Sequence, residues 1–151
     1  MTLYNLPEGQ SFLVSLKALV AEGGRLLVLH RVPSRQGDEV GWDLPGGLVE
    51  PEEPLEAGLL REVTEETGLR VDIGPLLAAW DHWVPEFRLE DGRVVDARIV
   101  CLAYLCSDAT GSVLLSHEHD DFAWASDAEL RELTFSTGCR AGVDSYLAHG
   151  Q

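Results

Sequence analysis

The chain has 151 residues, of which 45% are hydrophobic and 25% are charged, a composition that is typical of a folded domain and excludes disorder. Acidic residues outnumber basic ones by 26 to 11, and Lys17 is the only lysine. The net charge of −15 argues against binding to a nucleic-acid backbone or an anionic membrane, since both require clustered Lys and Arg. The length predicts one domain over residues 1–151.

The cysteines and the amino terminus predict the compartment. Three cysteines, an odd number with no C-x-x-C pair, indicate reduced thiols in an intracellular protein. No apolar run approaches the ~20 residues of a membrane span. The stretch from Met1 to Gln10 lacks the basic start and apolar run of a signal peptide. We therefore expect a cytoplasmic protein with no membrane partner.

The first elements along the chain are predicted to form a β-hairpin. Its strands, Phe12–Val20 and Arg25–Arg31, are rich in aliphatic residues and are separated by a Glu-Gly-Gly turn. A polar loop is expected over Val32–Val40. The segment from Trp42 to Gly47 then reads as a short extended stretch that runs into a tight turn.

The strongest helix prediction covers Pro54–Thr67. Pro54 suits the first helical position, where its missing N–H costs nothing, and Gly68 suits the left-handed position just past the end. Later elements are the strands Val71–Val84, Val94–Leu105, Val113–Leu115 and Phe122–Ala125, a helix capped by Ser126, and a last helix over Arg140–Ala148. Strands and helices mix without strict alternation, which predicts a mixed α/β (α+β) layered fold.

Three carboxylates lie on the wrong side of the helix Pro54–Thr67 for simple solvation. At about 100° per residue, its apolar stripe consists of Leu55, Leu59 and Val63. Glu66 falls within that stripe, Glu62 lies beside it and Glu65 flanks them. Neighbouring ionised carboxylates repel one another on a partly buried face, and a hard divalent cation such as Mg²⁺ or Mn²⁺ removes the repulsion. A metal site is therefore favoured over an ordinary solvated acidic face.

The stretch from Gly47 to Leu69 resembles the complete box of the Nudix hydrolases. Gly47 is followed by five residues, Glu53, seven more residues and then Arg-Glu-Val-Thr-Glu-Glu-Thr-Gly-Leu from Arg61, so all seven fixed positions are filled. A chance match in a chain of this length has a probability on the order of one in ten million. Looser similarity extends over most of the chain.

The resemblance implies a fold and a reaction. The Nudix fold is a mixed β-sheet sandwiched between helices, with the box forming a loop–helix–loop. The implied reaction is metal-dependent attack of water on the diphosphate linkage of a nucleoside diphosphate derivative, with a (d)NTP or related nucleotide favoured as the small-molecule substrate. Two alternatives stay open. One is an ADP-ribose or nucleotide-sugar pyrophosphatase. Pro85 supports it, because its position 16 residues after Leu69 is similar to the spacing in ADP-ribose-hydrolysing members of the family. The other is a catalytically silent Nudix domain that serves as a nucleotide sensor or interaction module.

The resemblance also implies roles for the box residues. The expected metal ligands are Glu62, Glu65, Glu66 and a backbone carbonyl of Gly47 or its neighbour Gly46. Glu53 and Arg61 are expected to form a salt bridge that orients the helix, a structural role. The expected cofactor is Mg²⁺ or Mn²⁺.

The general base is not kept in one place within the family. Besides Glu65 and Glu66, we favour Glu118 as a catalytic carboxylate, because the polar stretch from Ser116 to Asp121 follows the predicted sheet. A solvated polar loop is an equal alternative for this stretch. His117 and His119 also offer ligand atoms, although Mg²⁺ prefers oxygen.

Substrate contacts are predicted from residue type alone. Arg31, at the end of the second strand, suits a terminal phosphate, although a strand-end arginine is as often part of a surface ion pair. Trp42, Trp80 and Trp83 offer faces for stacking on a base, although buried aromatics mostly belong to the core. The oligomeric state, monomer or homodimer, is left open.

Overall fold

The computed structural model describes residues 8–33, 41–136 and 138–150. Within these ranges the strands are β1 (Gln10–Glu22), β2 (Arg25–Arg31), β3 (Trp42–Asp43), β4 (Gly46–Leu48), β5 (Arg70–Arg88), β6 (Val94–Thr110) and β7 (His119–Ala125). The helices are α1 (Leu55–Thr67), α2 (Asp127–Glu132) and α3 (Arg140–His149).

Strand β1 lies at the centre of one mixed sheet. The strand order is β3-β2-β1-β6-β5, with β4 also paired to β1 and β7 to β2. Residues 10–20 of β1 pair in parallel with residues 96–106 of β6, and the other pairs are antiparallel. Since a parallel pair cannot be joined by a tight turn, the chain between β1 and β6 has room for α1 and the residues that follow it.

The sheet is covered by helices on both faces. Successive side chains of a strand point to opposite faces, and β1 and β2 are apolar on both. One face packs against α1, through a buried cluster that includes Leu16, Val20, Leu27, Leu29, Leu59 and Val63. The other face packs against α2 and α3, through Leu19, Leu26, Val28, Leu130, Val143 and Leu147. This arrangement confirms the predicted mixed fold with a sheet between helices.

The hairpin and the main helix match their predictions closely. Strand β1 begins two residues before the predicted Phe12, and β2 has the predicted bounds. Gly68 ends α1 with φ of 71°, the predicted left-handed conformation. Pro54 is the cap, with φ −60° and ψ 149°, and not the first helical residue as predicted. Leu55, predicted to face the core, is 40% exposed because it lies in the first turn, beyond the edge of the sheet.

Predictions for the second half of the chain are less accurate. Strands β5 and β6 run further than predicted, because β-bulges at four places interrupt the period-2 pattern without ending the pairing. The predicted strand Val113–Leu115 is wrong. The Leu114 N–H donates to the Thr67 carbonyl at 2.8 Å, so this segment packs against the C-terminal end of α1 instead of pairing with a strand. Ser126 caps α2 in the predicted capping box with Glu129. Most of the predicted loop Val32–Val40 lies outside the described residues.

The cysteines agree with the prediction of free thiols. Cys101, Cys106 and Cys139 are free and buried, and burial raises the pKa of the Cys106 and Cys139 thiols to about 12. No helix in the described ranges is long and apolar enough to cross a membrane.

The turn before α1 depends on a glycine at its tightest point. Gly46 has φ of 149°, a conformation that side chains disfavour, and it pairs with Lys17 of β1. A Cβ at this position would overlap the carbonyl oxygen of Leu16, which belongs to the central strand and cannot move aside. The turn can therefore lie against β1 only without a side chain here.

We predict that Gly46→Ala is far more damaging than Gly92→Ala. Both positions have positive φ, at 149° and 88°, but a Cβ on Gly92 meets no atom within 4 Å. Gly92→Ala should cost about 1 kcal/mol from backbone strain alone, whereas Gly46→Ala adds an overlap and should cost at least about 3 kcal/mol. Urea denaturation of both variants measures the difference. Equal losses would show that the contact between Gly46 and β1 is not constraining.

Candidate functional site

The turn between β4 and α1 brings backbone against carboxylates. The Gly46 N–H donates to Oε2 of Glu66 at 3.0 Å. A Cβ on Gly47 would lie 2.6 Å from the carboxyl carbon of Glu62. The two glycines therefore let the main chain approach Glu62 and Glu66 of α1 more closely than any other residue type would.

The three predicted acids of α1 lie in different environments. Glu66 is 6% exposed, and burial raises its pKa to about 8, despite Lys17 nearby and the hydrogen bond from Gly46. Glu62 is partly buried, which also raises its pKa, against the effect of Arg61. Glu65 is exposed and accepts a hydrogen bond from Arg61 at 3.2 Å. Of these three acids, Glu66 is therefore the one whose ionised form a bound cation would stabilise most.

Arg61 forms hydrogen bonds with several acidic side chains of this cluster. Its guanidinium donates to both carboxylate oxygens of Glu53, at 2.6 and 2.9 Å, and to Glu62 at 3.0 Å. This fork geometry fixes both partners in direction as well as distance. The hydrogen bonds from Arg61 hold the pKa of the Glu53 carboxyl below its usual range. The predicted salt bridge between Glu53 and Arg61 is present.

A second group of side chains reaches Glu66 from the beginning of β7. Ligand atoms of Glu66, Glu118 and His119 all lie within 4.8 Å of one another. Glu118 is exposed, whereas His119 is buried and neither of its ring nitrogens has a hydrogen-bond partner among the described residues. The predicted polar loop is therefore a turn up to Glu118, and from His119 onward it is a strand of the sheet.

A buried polar network that sequence reasoning missed lies behind Glu66. Asp43 is 4% exposed and pairs with the Lys17 ammonium at 3.2 Å and the Arg31 guanidinium at 3.4 Å. The Cys139 thiol donates to the same carboxylate at 2.6 Å. Burial opposes ionisation of Asp43, but Lys17 and the other groups around the carboxylate together outweigh it and keep the pKa of Asp43 well below its usual range. The only signal in the sequence was that Lys17 is the single lysine.

These groups open into a cleft of about 1410 Å³. Among the predicted residues, the cleft is lined by Arg31, Gly47, Arg61, Glu62, Glu65, Glu66, Trp83 and Glu118. Trp42 is not part of the lining formed by the described residues. It packs against the core and makes an edge contact with His30, because its backbone is held between β2 and Phe135. Trp80 donates from its indole nitrogen to the Gly138 carbonyl at 3.1 Å and anchors the start of α3.

The donor set suits a hard divalent cation. Glu62, Glu66 and Glu118 present carboxylate oxygens from two directions, and like-charge contacts among them help to raise the pKa of Glu62 and Glu66. Arg61 pairs with Glu62, whereas the positive charge that acts on the more deeply buried Glu66 is that of Lys17, which does not prevent the rise in its pKa. Oxygen ligands with unbalanced negative charge are what Mg²⁺ and Mn²⁺ bind in proteins.

Comparison with known proteins agrees with this geometry. The NUDIX domain family matches residues 14–140. The chain is 32% identical over 133 residues to the CTP pyrophosphohydrolase of Escherichia coli (strain K12), covering 87% of this chain and 88% of that one. It is 32% identical over 114 residues to a MutT-like protein of Streptomyces ambofaciens, covering 76% of this chain but 63% of that longer protein. The solution structure of the E. coli ORF135 protein superposes with a TM-score of 0.75 and 25% identity, covering 95% of this chain and 94% of that one.

We predict that Lys17→Met destabilises the protein by about 3–5 kcal/mol, because it leaves the buried Asp43 carboxylate without its main cation. Adding Asp43→Asn to this variant removes the uncompensated charge and should recover part of the loss. Urea denaturation measures both. A loss below about 1 kcal/mol in the single variant would show that the pair contributes little.

We predict that Glu53→Gln lowers the urea midpoint of unfolding, because the amide cannot accept both hydrogen bonds from Arg61. The matched control is Glu52→Gln, which changes an exposed acid one residue earlier and should leave the midpoint unchanged. If the two variants unfold at the same urea concentration, the contact between Glu53 and Arg61 does not hold α1 in place.

Proposed function

The chain belongs to the Nudix family, and from this premise we propose that it is a hydrolase that cleaves the diphosphate linkage of a nucleoside triphosphate or a related nucleotide, using a divalent metal ion. The observation that carries the proposal is the convergence of Glu66 and Glu118 in an open cleft, beside a box with all its fixed positions filled. Silent domains of this family commonly lose an acid of the box, and this chain keeps every one.

The metal would be held by carboxylates of α1 and of the turn before β7. Glu66 and Glu118 are the inner ligands in this proposal, and Glu62 contributes from beside them. Glu65 lies further out, since it is exposed and bound to Arg61. What Mg²⁺ or Mn²⁺ supplies when bound is charge, which polarises the phosphate oxygens and offsets their repulsion by the acids.

The remaining residues of the cluster position these ligands. The Gly46 N–H holds Oε2 of Glu66 at 3.0 Å, which leaves the other carboxylate oxygen available for the cation. Arg61 does the same for Glu62 through a 3.0 Å contact with Oε1. Ligands that are already oriented lose little conformational entropy when they bind.

Glu118 is also the residue we propose as general base, with one carboxylate oxygen towards the cation and the other available to a water in the cleft. Its carboxylate is exposed to the cleft, lies close to Glu66 and has room to accept a proton from an attacking water. Glu65, the alternative base, accepts a hydrogen bond from Arg61 at 3.2 Å, so one of its carboxylate oxygens is already engaged.

The cleft offers a charge and an aromatic face for the rest of the substrate. Arg31 lines the cleft with about half of its side chain exposed, and its 3.4 Å contact with Asp43 involves one nitrogen of a guanidinium that has several donors for a phosphate. Trp83 is 48% exposed and can stack on a base.

The name of the E. coli relative supports CTP as the first substrate to test. Three unpaired thiols support a cytoplasmic location.

We predict that Glu66→Gln lowers hydrolysis at least about a hundredfold, because the amide cannot supply the charged oxygen that the metal requires. Glu56→Gln is the matched control, since Glu56 is an exposed acid of the same helix, and it should retain full activity. Addition of EDTA should abolish the reaction, and excess Mg²⁺ should restore it.

The decisive measurement is a screen of nucleoside triphosphates, nucleotide sugars and dinucleotides with Mg²⁺ or Mn²⁺, in which the products are identified. We expect a nucleoside monophosphate and pyrophosphate from CTP or another triphosphate. Preferred cleavage of ADP-ribose or a nucleotide sugar would replace the proposed substrate class. Tight nucleotide binding without turnover across the whole panel would contradict the enzyme and favour a sensor.

A further inference from the structure

His119 is a buried histidine that the hydrolytic proposal leaves without a role. Its side chain is 2% exposed, and within residues 8–33, 41–136 and 138–150 neither ring nitrogen has a hydrogen-bond partner. An unpartnered buried polar group costs about 1–3 kcal/mol. Most buried polar groups have a partner, so these nitrogens point to an occupant of the site that supplies one.

Its surroundings indicate what kind of occupant this is. A ring nitrogen of His119 lies within 4.8 Å of carboxylate oxygens of both Glu66 and Glu118. Ligand atoms on one Mg²⁺- or Mn²⁺-sized ion lie roughly 3–4 Å apart, at about 2.1 Å from the metal. Small side-chain rotations close this gap, and Glu118 is exposed and free to make them.

Asp43 lies where an outer partner of a ligating histidine belongs. Its Oδ2 is 3.9 Å from Nε2 of His119, too long for a hydrogen bond. Histidines that ligate a metal almost always donate their other N–H to a carboxylate or carbonyl, which orients the ring. Asp43 is held in place by Lys17 and Cys139, so it offers a fixed acceptor towards which the ring can turn.

Two other histidines close to His119 have different environments. His30 is paired with Asp120, with 2.7 Å between Nδ1 and Oδ1. His117 is exposed and needs no protein partner. Among these three, His119 alone combines burial, unpaired nitrogens and neighbouring carboxylates.

We propose that His119 is a nitrogen ligand of the divalent cation, together with Glu66 and Glu118, and that the site therefore prefers a transition-metal ion such as Mn²⁺ to Mg²⁺. Mg²⁺ is bound almost wholly by oxygen, whereas an imidazole nitrogen favours first-row transition ions. This inference rests on the proposed function for the presence of a cation, and it adds the identity of one ligand and the metal preference.

The test is pulsed electron paramagnetic resonance of the full chain with Mn²⁺ alone. A nitrogen bound directly to Mn²⁺ gives strong ¹⁴N modulation of the electron spin echo, which changes when histidine is labelled with ¹⁵N. We expect this signal in the wild type, its loss in His119→Gln and its retention in the control His117→Gln. A wild-type spectrum without this signal overturns the inference on its own, and a signal that survives in His117→Gln excludes that histidine, so the inference stays falsifiable even if His119→Gln fails to fold.

Competition between the two metals gives the second measurement. Loss of an outer partner of a metal ligand costs 10–100-fold in affinity, so loss of the ligand itself should weaken Mn²⁺ binding at least about tenfold. Mg²⁺ binding should change less, and the concentration of Mg²⁺ that displaces bound Mn²⁺ should therefore fall in His119→Gln. The same displacement in both proteins would contradict the inference.

The outcomes separate this inference from the proposed function. Mn²⁺ bound through oxygen only, in a protein that hydrolyses nucleotides, overturns the role of His119 and leaves the hydrolase intact. Absence of both Mn²⁺ binding and metal-dependent hydrolysis overturns both. A ¹⁴N signal that persists in His119→Gln and disappears in His117→Gln assigns the ligand to the exposed histidine and also overturns the inference.

Discussion

Burial of the Glu66 carboxylate is the constraint on which the arrangement around α1 depends. An acid at the interface between a helix and a sheet loses hydration, and the protein offsets this with the N–H of Gly46 and the charge of Lys17. These two interactions explain other features in turn. Gly46 must lack a side chain to reach Glu66, and Lys17 must itself be paired with Asp43 because it too is buried.

The acids of the helix are divided between two kinds of partner. Arg61 pairs with Glu53, Glu62 and Glu65 through a set of hydrogen bonds, whereas the more deeply buried Glu66 relies on the N–H of Gly46 and the charge of Lys17. The net charge of −15 therefore includes acidic groups at the cleft whose charge is not balanced, within the described residues, by a neighbouring Arg or Lys side chain bonded to them. The general excess disfavours polyanions, but the unbalanced part of it lies where a cation can bridge protein and phosphate.

Local signals predicted the fold and the helix, and long-range packing determined what they missed. The position of Glu66 within the apolar stripe of α1 followed from helical periodicity, because the residues that define the stripe lie within three turns of the same helix. The network of Lys17, Asp43 and Cys139 joins β1, β3 and the start of α3, so no window of sequence contains it. Burial of His119 likewise depends on where β7 joins β2. Trp42 and Trp83 are the same residue type, and only tertiary structure places one in the core and the other in the cleft.

The parallel pairing of β1 with β6 has a consequence for how the chain acquires its structure. Residues 10–20 leave the ribosome early, but their partners at 96–106 are made only after β2, α1 and β5. The central strand therefore spends most of synthesis with one edge unpaired, and contacts between such distant segments slow folding. Strand β1 is thus among the last strands to complete its pairing, and the cleft cannot assemble until β6 and the residues that line the cleft after it have been made.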